Sequence, residues 1–365
     1  MTKSVAIIGT RGYPSYYGGF ETAVRKLAPY LSNNGWDVTV YGRKGSTRDD
    51  DPGRDYSVHT VITPGVELKS VSTLSYGLTA ALSAMRRKPD VVLVMNVANG
   101  FFIPLLNLRK IPSLVNVDGI EWDRAKWGRL AKAVFHSGAR WTARHGSRMV
   151  YDSKEIARRW KDEFGLIGDF IPYGGDVPGP LPIEPGFTHR TYVLLVARFV
   201  PENTVTEFFA AVPEISKRHD VIIVGSTGYG GELDDVAKRL SDSNPRVHWL
   251  GHISDDARLL SLWQHAGVYF HGHSVGGTNP ALVQAMACGA PTIARDTRYN
   301  REVLGESALL VAPAPTDIAG AIDVLLTDPA RMEVQSEALQ NRAREFYSWD
   351  LVCRSYEKAL LSLIS

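Results

Sequence analysis

Short apolar runs recur along the chain, each of strand length, and alternate with stretches whose apolar residues fall at helical spacing. In the first half, Ser4–Ile8 predicts a buried strand, followed by a helix carrying Val24, Leu27, Ala28 and Leu31 on one face. Gly35 is a natural stop for that helix, and Pro29 inside it is expected to kink it. The pattern continues with strands at Asp37–Tyr41, Val91–Met95, Ser113–Val117 and Arg148–Tyr151, and helices at Ser72–Arg86, Lys126–His145 and Lys154–Phe164. The second half repeats it. Strands are expected at Tyr192–Ala197, Val221–Val224, Val247–Leu250, Val268–Phe270 and Thr292–Ala294, and helices at Val205–His219, Asp255–His265 and Asn279–Cys288. The longest apolar candidates, Val91–Met95 and Thr191–Ala197, fall far short of the roughly 18 residues that span a bilayer.

Strands alternating with helices of this length predict parallel, doubly wound sheets. The Pro- and Gly-rich stretch 171–190 reads as a linker, so the expected organisation is one Rossmann-like domain over 1–170 and a second over 191–346. Doubly wound domains bind ligands at the carboxyl ends of their strands, which predicts a central cleft faced by both domains.

Composition changes this picture little: 44% hydrophobic and 22% charged residues mark a globular chain of 365 residues. Cys288 and Cys353 form no framework and suit a reducing compartment. The opening Met-Thr-Lys-Ser enters a strand at once, so no signal peptide is expected and the expected location is cytoplasmic. Charge is more informative. Residues 1–175 carry 25 Lys/Arg and 16 Asp/Glu, a net of +9, which leaves −7 for the remainder. A basic half favours an anionic partner, here a phosphorylated lipid or the anionic inner face of the cell membrane, against the plainer reading of a solvated basic surface. No nucleic-acid partner is expected.

Four loops carry candidate chemistry. In Gly9-Thr-Arg-Gly-Tyr-Pro-Ser-Tyr-Tyr-Gly-Gly-Phe-Glu-Thr22, Gly18 and Gly19 can adopt positive φ at a helix start, where free amides favour an anion, and Arg11 adds a fork-shaped donor. An ordinary Gly-rich turn is the alternative. In Val196-Ala-Arg-Phe-Val-Pro-Glu-Asn-Thr204, Arg198 leaves a buried strand, and its permanent charge suits a departing diphosphate, unless it pairs with Glu202. In the stretch His271–Gly289, Asn279 is a natural N-cap and Pro280 a natural first helical residue, which aims the amides near Gly277, Thr278 and Asn279 at an anion. Gln284, one turn on, is placed to reach a ribose, and His271-x-His273 has no third metal ligand. In Val117–Trp127, Asp118, Glu121 and Asp123 follow a strand and can assist proton transfer, while Trp122 and Trp127 offer flat faces to an acceptor; a helix-start acidic cluster with core tryptophans is the alternative. The loop Gly225–Gly231 imitates a dinucleotide loop but reads better as a tight turn.

With these residues in view, the chain resembles retaining glycosyltransferases of family 4, which have the GT-B fold of two Rossmann-like domains. The most specific stretch runs from Val247-His-Trp-Leu-Gly-His-Ile to Pro291-Thr-Ile-Ala294, including Ala-Met-Ala-Cys-Gly-Ala-Pro. The loop at Gly9–Thr22 and Asp118-Gly-Ile-Glu-Trp122 are similar to a narrower bacterial branch of rhamnosyltransferases acting on polyprenyl-diphosphate-linked saccharides. The resemblance implies transfer, with retention, of a sugar from a dTDP- or UDP-linked donor, rhamnose from dTDP-rhamnose by the branch, in bacterial surface polysaccharide synthesis. No metal or other cofactor is expected.

Residue by residue, the resemblance gives Arg198 the donor diphosphate and Gly18 and Gly19 the loop under the phosphates. It sets Asp118 near a position that is often a catalytic histidine, and His252 beside the nucleobase. Asn203, Gly277, Thr278, Asn279 and Gln284 are expected on the donor, and Arg11, Glu121 and Trp122 on the acceptor. The tail 347–365 is expected to form a last helix that crosses back to the first domain. The chain also departs from the family: Asn203 stands where a lysine is usual, and Gly276 and Gln284 stand in place of two glutamates. These departures keep two rivals open, a sugar-nucleotide-binding protein without transfer activity and a sugar-nucleotide epimerase of the same fold.

Overall fold

The computed structural model describes residues 2–16, 18–47, 50–67, 72–124 and 127–364. Lys126, the expected start of one helix, and Tyr17 in the first glycine loop lie outside them. The chain divides into two compact units, residues 1–173 with 349–365, and residues 174–348.

Unit 1 contains β1 (Lys3–Ile8), α1 (Gly19–Asn33), β2 (Trp36–Gly42), β3 (His59–Ile62), α2 (Ser72–Arg87), β4 (Val91–Met95), α3 (Ile103–Asn107), β5 (Ser113–Asn116), α4 (Arg129–His145), β6 (Arg148–Tyr151), α5 (Lys154–Phe164) and β7 (Asp169–Phe170). The strands form one parallel sheet in the order β3-β2-β1-β4-β5-β6-β7. Val91–Met95 is buried at every position, as a central parallel strand covered on both faces requires. Helix α1 runs unbroken through Pro29 and buries Val24, Leu27, Ala28 and Leu31. The last helix of the chain, Trp349–Ile364, belongs to this unit, its Val352, Cys353, Tyr356 and Leu360 joining the same core. Glu357 on it accepts hydrogen bonds from Tyr30 Oη (3.2 Å) and Trp36 Nε1 (3.0 Å).

Unit 2 contains β8 (Tyr192–Val196), α6 (Val205–Ile215), β9 (Asp220–Val224), α7 (Glu232–Ser243), β10 (Val247–Gly251), α8 (Asp256–His265), β11 (Val268–His271), α9 (Pro280–Ala287), β12 (Thr292–Arg295), α10 (Arg298–Leu304), β13 (Leu309–Val311), α11 (Pro315–Leu326) and α12 (Pro329–Phe346); the last helix of the chain is α13. The sheet is parallel in the order β10-β9-β8-β11-β12-β13, with an apolar core on each face. The helix expected to reach His219 stops at Ile215. Beyond it the chain turns, and His219 Nε2 lies 3.1 Å from Asp323. Strands β3 and β13, which no apolar run announced, have no fully buried position, and both lie at sheet edges.

Two parallel-stranded, doubly wound sheets with helices define a two-domain α/β architecture. Among the described residues no helix is long and apolar enough to cross a membrane.

Candidate functional site

In unit 2 the crossovers leave in opposite directions from β8 and β11, which are neighbours in the sheet. Such a switch point, at the carboxyl ends of the strands, is where doubly wound sheets take ligands. The loops leaving the two strands are tied together there. Asn203 Nδ2 donates to the Arg198 carbonyl (2.8 Å), and Asn203 Oδ1 lies 2.6 Å from His273 Nδ1. Ser274 gives both its N–H (2.8 Å) and its hydroxyl (2.9 Å) to the Glu202 carbonyl, and Thr204 Oγ1 donates to the Gly272 carbonyl (2.6 Å). The approach is close enough that a Cβ on Gly272 would lie 2.2 Å from the Asn203 oxygen.

These ties leave Arg198 exposed, its guanidinium without a hydrogen bond or ion pair among the described residues. Pairing with Glu202 does not occur; Glu202 is buried and its Oε1 has no partner among the described residues. At the other loop, Asn279 caps α9 by accepting from the Ala281 N–H (2.9 Å), with Pro280 first in the helix and Gly276 at φ +89°. Gly277 is half-buried and Thr278 buried. Gln284 does not face open space. Its Oε1 accepts from the Asp176 N–H (3.0 Å) and its Nε2 donates to the Asp176 carbonyl (2.7 Å), a clamp on the incoming chain. His252 is exposed just after β10, beyond Gly251 at φ +63°.

The Gly225–Gly231 loop is filled from within. Asp234 accepts from the Thr227 and Gly231 N–H groups, each at 3.0 Å, so the loop already holds an anion of the chain itself. Beneath the switch point His271 is fully buried, with Nδ1 3.0 Å from Tyr269 Oη. Burial, reinforced by His273, holds its pKa well below the usual histidine value.

In unit 1 the switch point lies between β1 and β4. Positive φ falls on Gly9 (+88°) and Gly12 (+123°), not on Gly18 and Gly19: Gly18 is extended (φ −168°) as the N-cap of α1, and Gly19 is already helical. The reason is the close approach of the loop to its neighbours. A Cβ on Gly9 would lie 2.1 Å from the Met95 oxygen, and one on Gly12 2.6 Å from Thr47 Cγ2. Among the described residues no side chain caps α1. Glu21, in its first turn, is buried and accepts the Arg11 N–H (3.0 Å), a residue that the sequence reading passed over. Arg43, also passed over, is buried with its guanidinium 5.0 Å from the Tyr76 ring centre. Desolvation first, then the nearby Arg11 charge, lowers its pKa.

Asp118 follows β5 with φ +61°, half-buried, and its Oδ2 accepts from Asn96 Nδ2 (3.2 Å). Glu121 and Trp122 do not share that setting. Glu121 is buried, one oxygen accepting from Trp127 Nε1 (2.7 Å) and the other 2.7 Å from Arg124 Nε. Trp122 packs among His136 (5.4 Å), Phe164 (6.3 Å) and Trp160 (6.5 Å) as part of an aromatic cluster. Asp123 pairs with Arg159.

Residues 190–328 match the family described as "Glycosyl transferases group 1", and residues 2–176 match "Domain of unknown function (DUF1972)". Glycogen synthase of Mycobacterium tuberculosis is 23% identical over 96% of this chain and 92% of its own. Sucrose-phosphate synthase from Thermosynechococcus elongatus superposes with a TM-score of 0.81 at 18% identity, over 99% of both chains. Anabaena HepE, solved in complex with UDP and glucose, gives a TM-score of 0.76 at 16% identity, over 99% of this chain and 100% of its own. Fold and relatives together define the class: a two-domain α/β protein of the GT-B type, related to glycosyltransferases.

Proposed function

We propose that the protein is a retaining glycosyltransferase that moves a sugar from a nucleotide-sugar donor to a hydroxyl of a lipid-linked saccharide. One observation carries the reading: the unpaired, exposed guanidinium of Arg198 stands at the switch point of unit 2, one strand away from the start of α9. A fixed cation beside a helix N-terminus suits a diphosphate, and suits it better as charge develops on departure. HepE, which shares the fold, was solved with UDP and glucose, which supports a nucleotide-sugar donor here.

In this reading Arg198 and the amides at Gly277, Thr278 and Asn279 hold the diphosphate, and His252 sits beside the base. Asn203 and Gln284, whose side chains are spent on Arg198, His273 and Asp176, hold these loops in place. Unit 1 supplies the acceptor side: Asp118 orients the acceptor hydroxyl, Arg11 and the uncapped Gly18–Gly19 start of α1 attract its phosphates, and Glu121 and Trp122 support that wall from behind. The departing phosphate takes the acceptor proton as the new bond forms on the same face. The N-terminal motifs favour rhamnose from dTDP-rhamnose and a polyprenyl-diphosphate-linked saccharide; a UDP-linked donor is the alternative.

A thermal-shift screen of nucleotide diphosphates and sugar nucleotides, followed by product analysis with and without a lipid-linked acceptor, tests the proposal. A ligand at 100 times its dissociation constant stabilises by about 2.7 kcal/mol. Stabilisation by a sugar nucleotide plus acceptor-dependent product supports transfer. Stabilisation without product on any acceptor favours the rival binding protein, which the absence of a lysine at Asn203 also favours. Product without acceptor favours an epimerase, and no stabilisation by any nucleotide sinks both the donor site and the activity.

A further inference from the structure

Helix α4 carries no Asp or Glu, and neither does the chain from residue 91 to 117 or from 124 to 151. Its inner face, Gly138, Ala139 and Thr142, is buried, and it packs so closely that a Cβ on Gly138 would lie 2.7 Å from the Val97 oxygen. The outer face carries no such cover. Leu130 is 81% exposed and Trp141 44%, although both are large and apolar. Eleven residues apart, they fall about 20° from each other around the helix and about 16 Å apart along it. Arg140 and Arg144 are exposed on the same side.

The turn after α3 extends this face. Asn107 Nδ2 donates to the His145 carbonyl (3.0 Å), and Trp141 stacks on His145 (5.1 Å) and meets Phe101 (6.4 Å). That turn presents Leu108, 77% exposed, beside exposed Arg109 and Lys110. None of Arg109, Lys110, Arg140 and Arg144 is held in an ion pair among the described residues, whereas Arg148 nearby is bound to Asp169.

We propose that the outer face of α4 and the Leu108–Lys110 turn form a docking surface for an anionic lipid bilayer. A face of leucine, tryptophan and unpaired arginine, with no acid on the helix or turn that carries it, matches the chemistry of that interface; the acid that meets α4, Glu163 of α5, is bound to His136 (2.6 Å). Tryptophan settles at headgroup depth, leucine enters the acyl boundary, and each cation is drawn to anionic lipid. Charge complementarity selects the bilayer over a neutral apolar partner. The surface deepens the lipid-linked part of the functional reading and rests on it only for its purpose. Vesicle binding is measured without sugar transfer, so the two fail separately.

The test uses the full chain and vesicles of phosphatidylcholine with and without about 30% phosphatidylglycerol. The wild type is expected to sediment with the anionic vesicles at low salt, to be released by high salt, and to ignore pure phosphatidylcholine. Arg140→Glu with Arg144→Glu, both at exposed positions, should weaken binding at least about tenfold. Cys288 and Cys353 are buried, so a polarity-sensitive dye on Leu130→Cys reports depth. Its emission should shift to the blue on anionic vesicles, while the same dye on Tyr229→Cys in unit 2 should not respond. Failure of the wild type to bind, equal binding of neutral vesicles, unchanged binding by the reversal pair, or a dimer that the reversals dissociate while vesicles are ignored would each overturn the proposal.

Discussion

Asn96 donates a hydrogen bond from Nδ2 to Asp118 Oδ2 over 3.2 Å, and both residues hold a left-handed backbone, at φ +74° and +61°. They end the neighbouring strands β4 and β5 at the switch-point side of the unit 1 sheet. The surrounding bonds hold them there. Asn96 Oδ1 accepts from the Ala98 N–H, Asn116 Oδ1 accepts from the Asp118 N–H, and Asn116 Nδ2 donates to Tyr356 Oη of α13 at 2.6 Å. Left-handed residues other than glycine cost of order 1 kcal/mol each, and they gather where a site needs a side chain aimed in an otherwise unfavourable way.

That strain makes Asp118→Gly informative. Glycine takes φ +61° without cost but removes the carboxylate and its bond to Asn96. Stability by urea unfolding should fall by no more than about 2 kcal/mol, because relief of strain offsets part of what the lost carboxylate contributed, its bond to Asn96 included. Transfer should fall by at least about tenfold if the carboxylate orients the acceptor. Full activity would remove Asp118 from the proposed machinery, whereas a large loss of stability would show that the residue is structural.

Arg198 is the sharper case, because its guanidinium has no hydrogen bond or ion pair among the described residues. Arg198→Ala should leave the unfolding midpoint nearly unchanged, as expected for an exposed side chain without partners. Turnover should fall about 10²–10³-fold, the usual effect of removing one group that stabilises a developing anion. Arg198→Lys should recover part of that, since it restores charge but not the fork. Steady-state kinetics with the donor found by the thermal-shift screen reads both, and an alanine variant at wild-type rate would take the diphosphate away from this residue.

The glycines of the first loop separate by position. Gly9 sits at φ +88° with backbone 2.1 Å from where a Cβ would be, so Gly9→Ala should cost at least about 2 kcal/mol. Gly18 is extended, and a Cβ there would meet only the Glu21 carboxylate at 3.5 Å. Gly18 is also the N-cap of α1, where glycine is preferred to alanine, so Gly18→Ala should cost only about 0.5–1 kcal/mol, and a loss of activity out of proportion to that reports on ligand approach to α1. Equal stability losses in the two variants would contradict this geometry.

The central strands of the two sheets were legible because central parallel strands need uninterrupted apolar runs, and Val91–Met95 and Val268–Phe270 carry them. The cap of α9 was legible too: Asn279 stands where the structure uses it, whereas Asp255, expected as the first residue of its helix, is the cap of α8. Edge strand β3 and polar helix α7 bury little and leave no such pattern. The site residues divide along another line. Arg198 and Asp118 could be proposed as site residues because each follows a strand. That Glu121 and Gln284 are consumed by Trp127, Arg124 and Asp176 could not, since those partners depend on how loops fold back and not on spacing. Glu21 and Arg43 were missed because a lone charge in a sequence does not disclose its burial.

His271 gives a prediction in pH. Fully buried, with its pKa depressed by desolvation and by His273, it stays neutral in the folded protein well below the usual value of 6.5. The unfolded chain takes up that proton as pH falls past about 6.5, while the native state does not, so the unfolded state binds more protons and stability declines with acid. The contribution is whole above about pH 6.5. It is lost at up to about 1.4 kcal/mol per pH unit below it, until the folded pKa is reached. His271→Asn removes the titration and keeps a polar side chain beside Tyr269 Oη, which lies 3.0 Å from Nδ1 in the native protein. The variant should be less stable at pH 8 but flatter between about pH 6.5 and 5, a window above the range where ordinary carboxylates dominate acid unfolding. Urea unfolding across that window decides it: parallel stability curves for variant and wild type would mean that His271 is protonated in the native state after all.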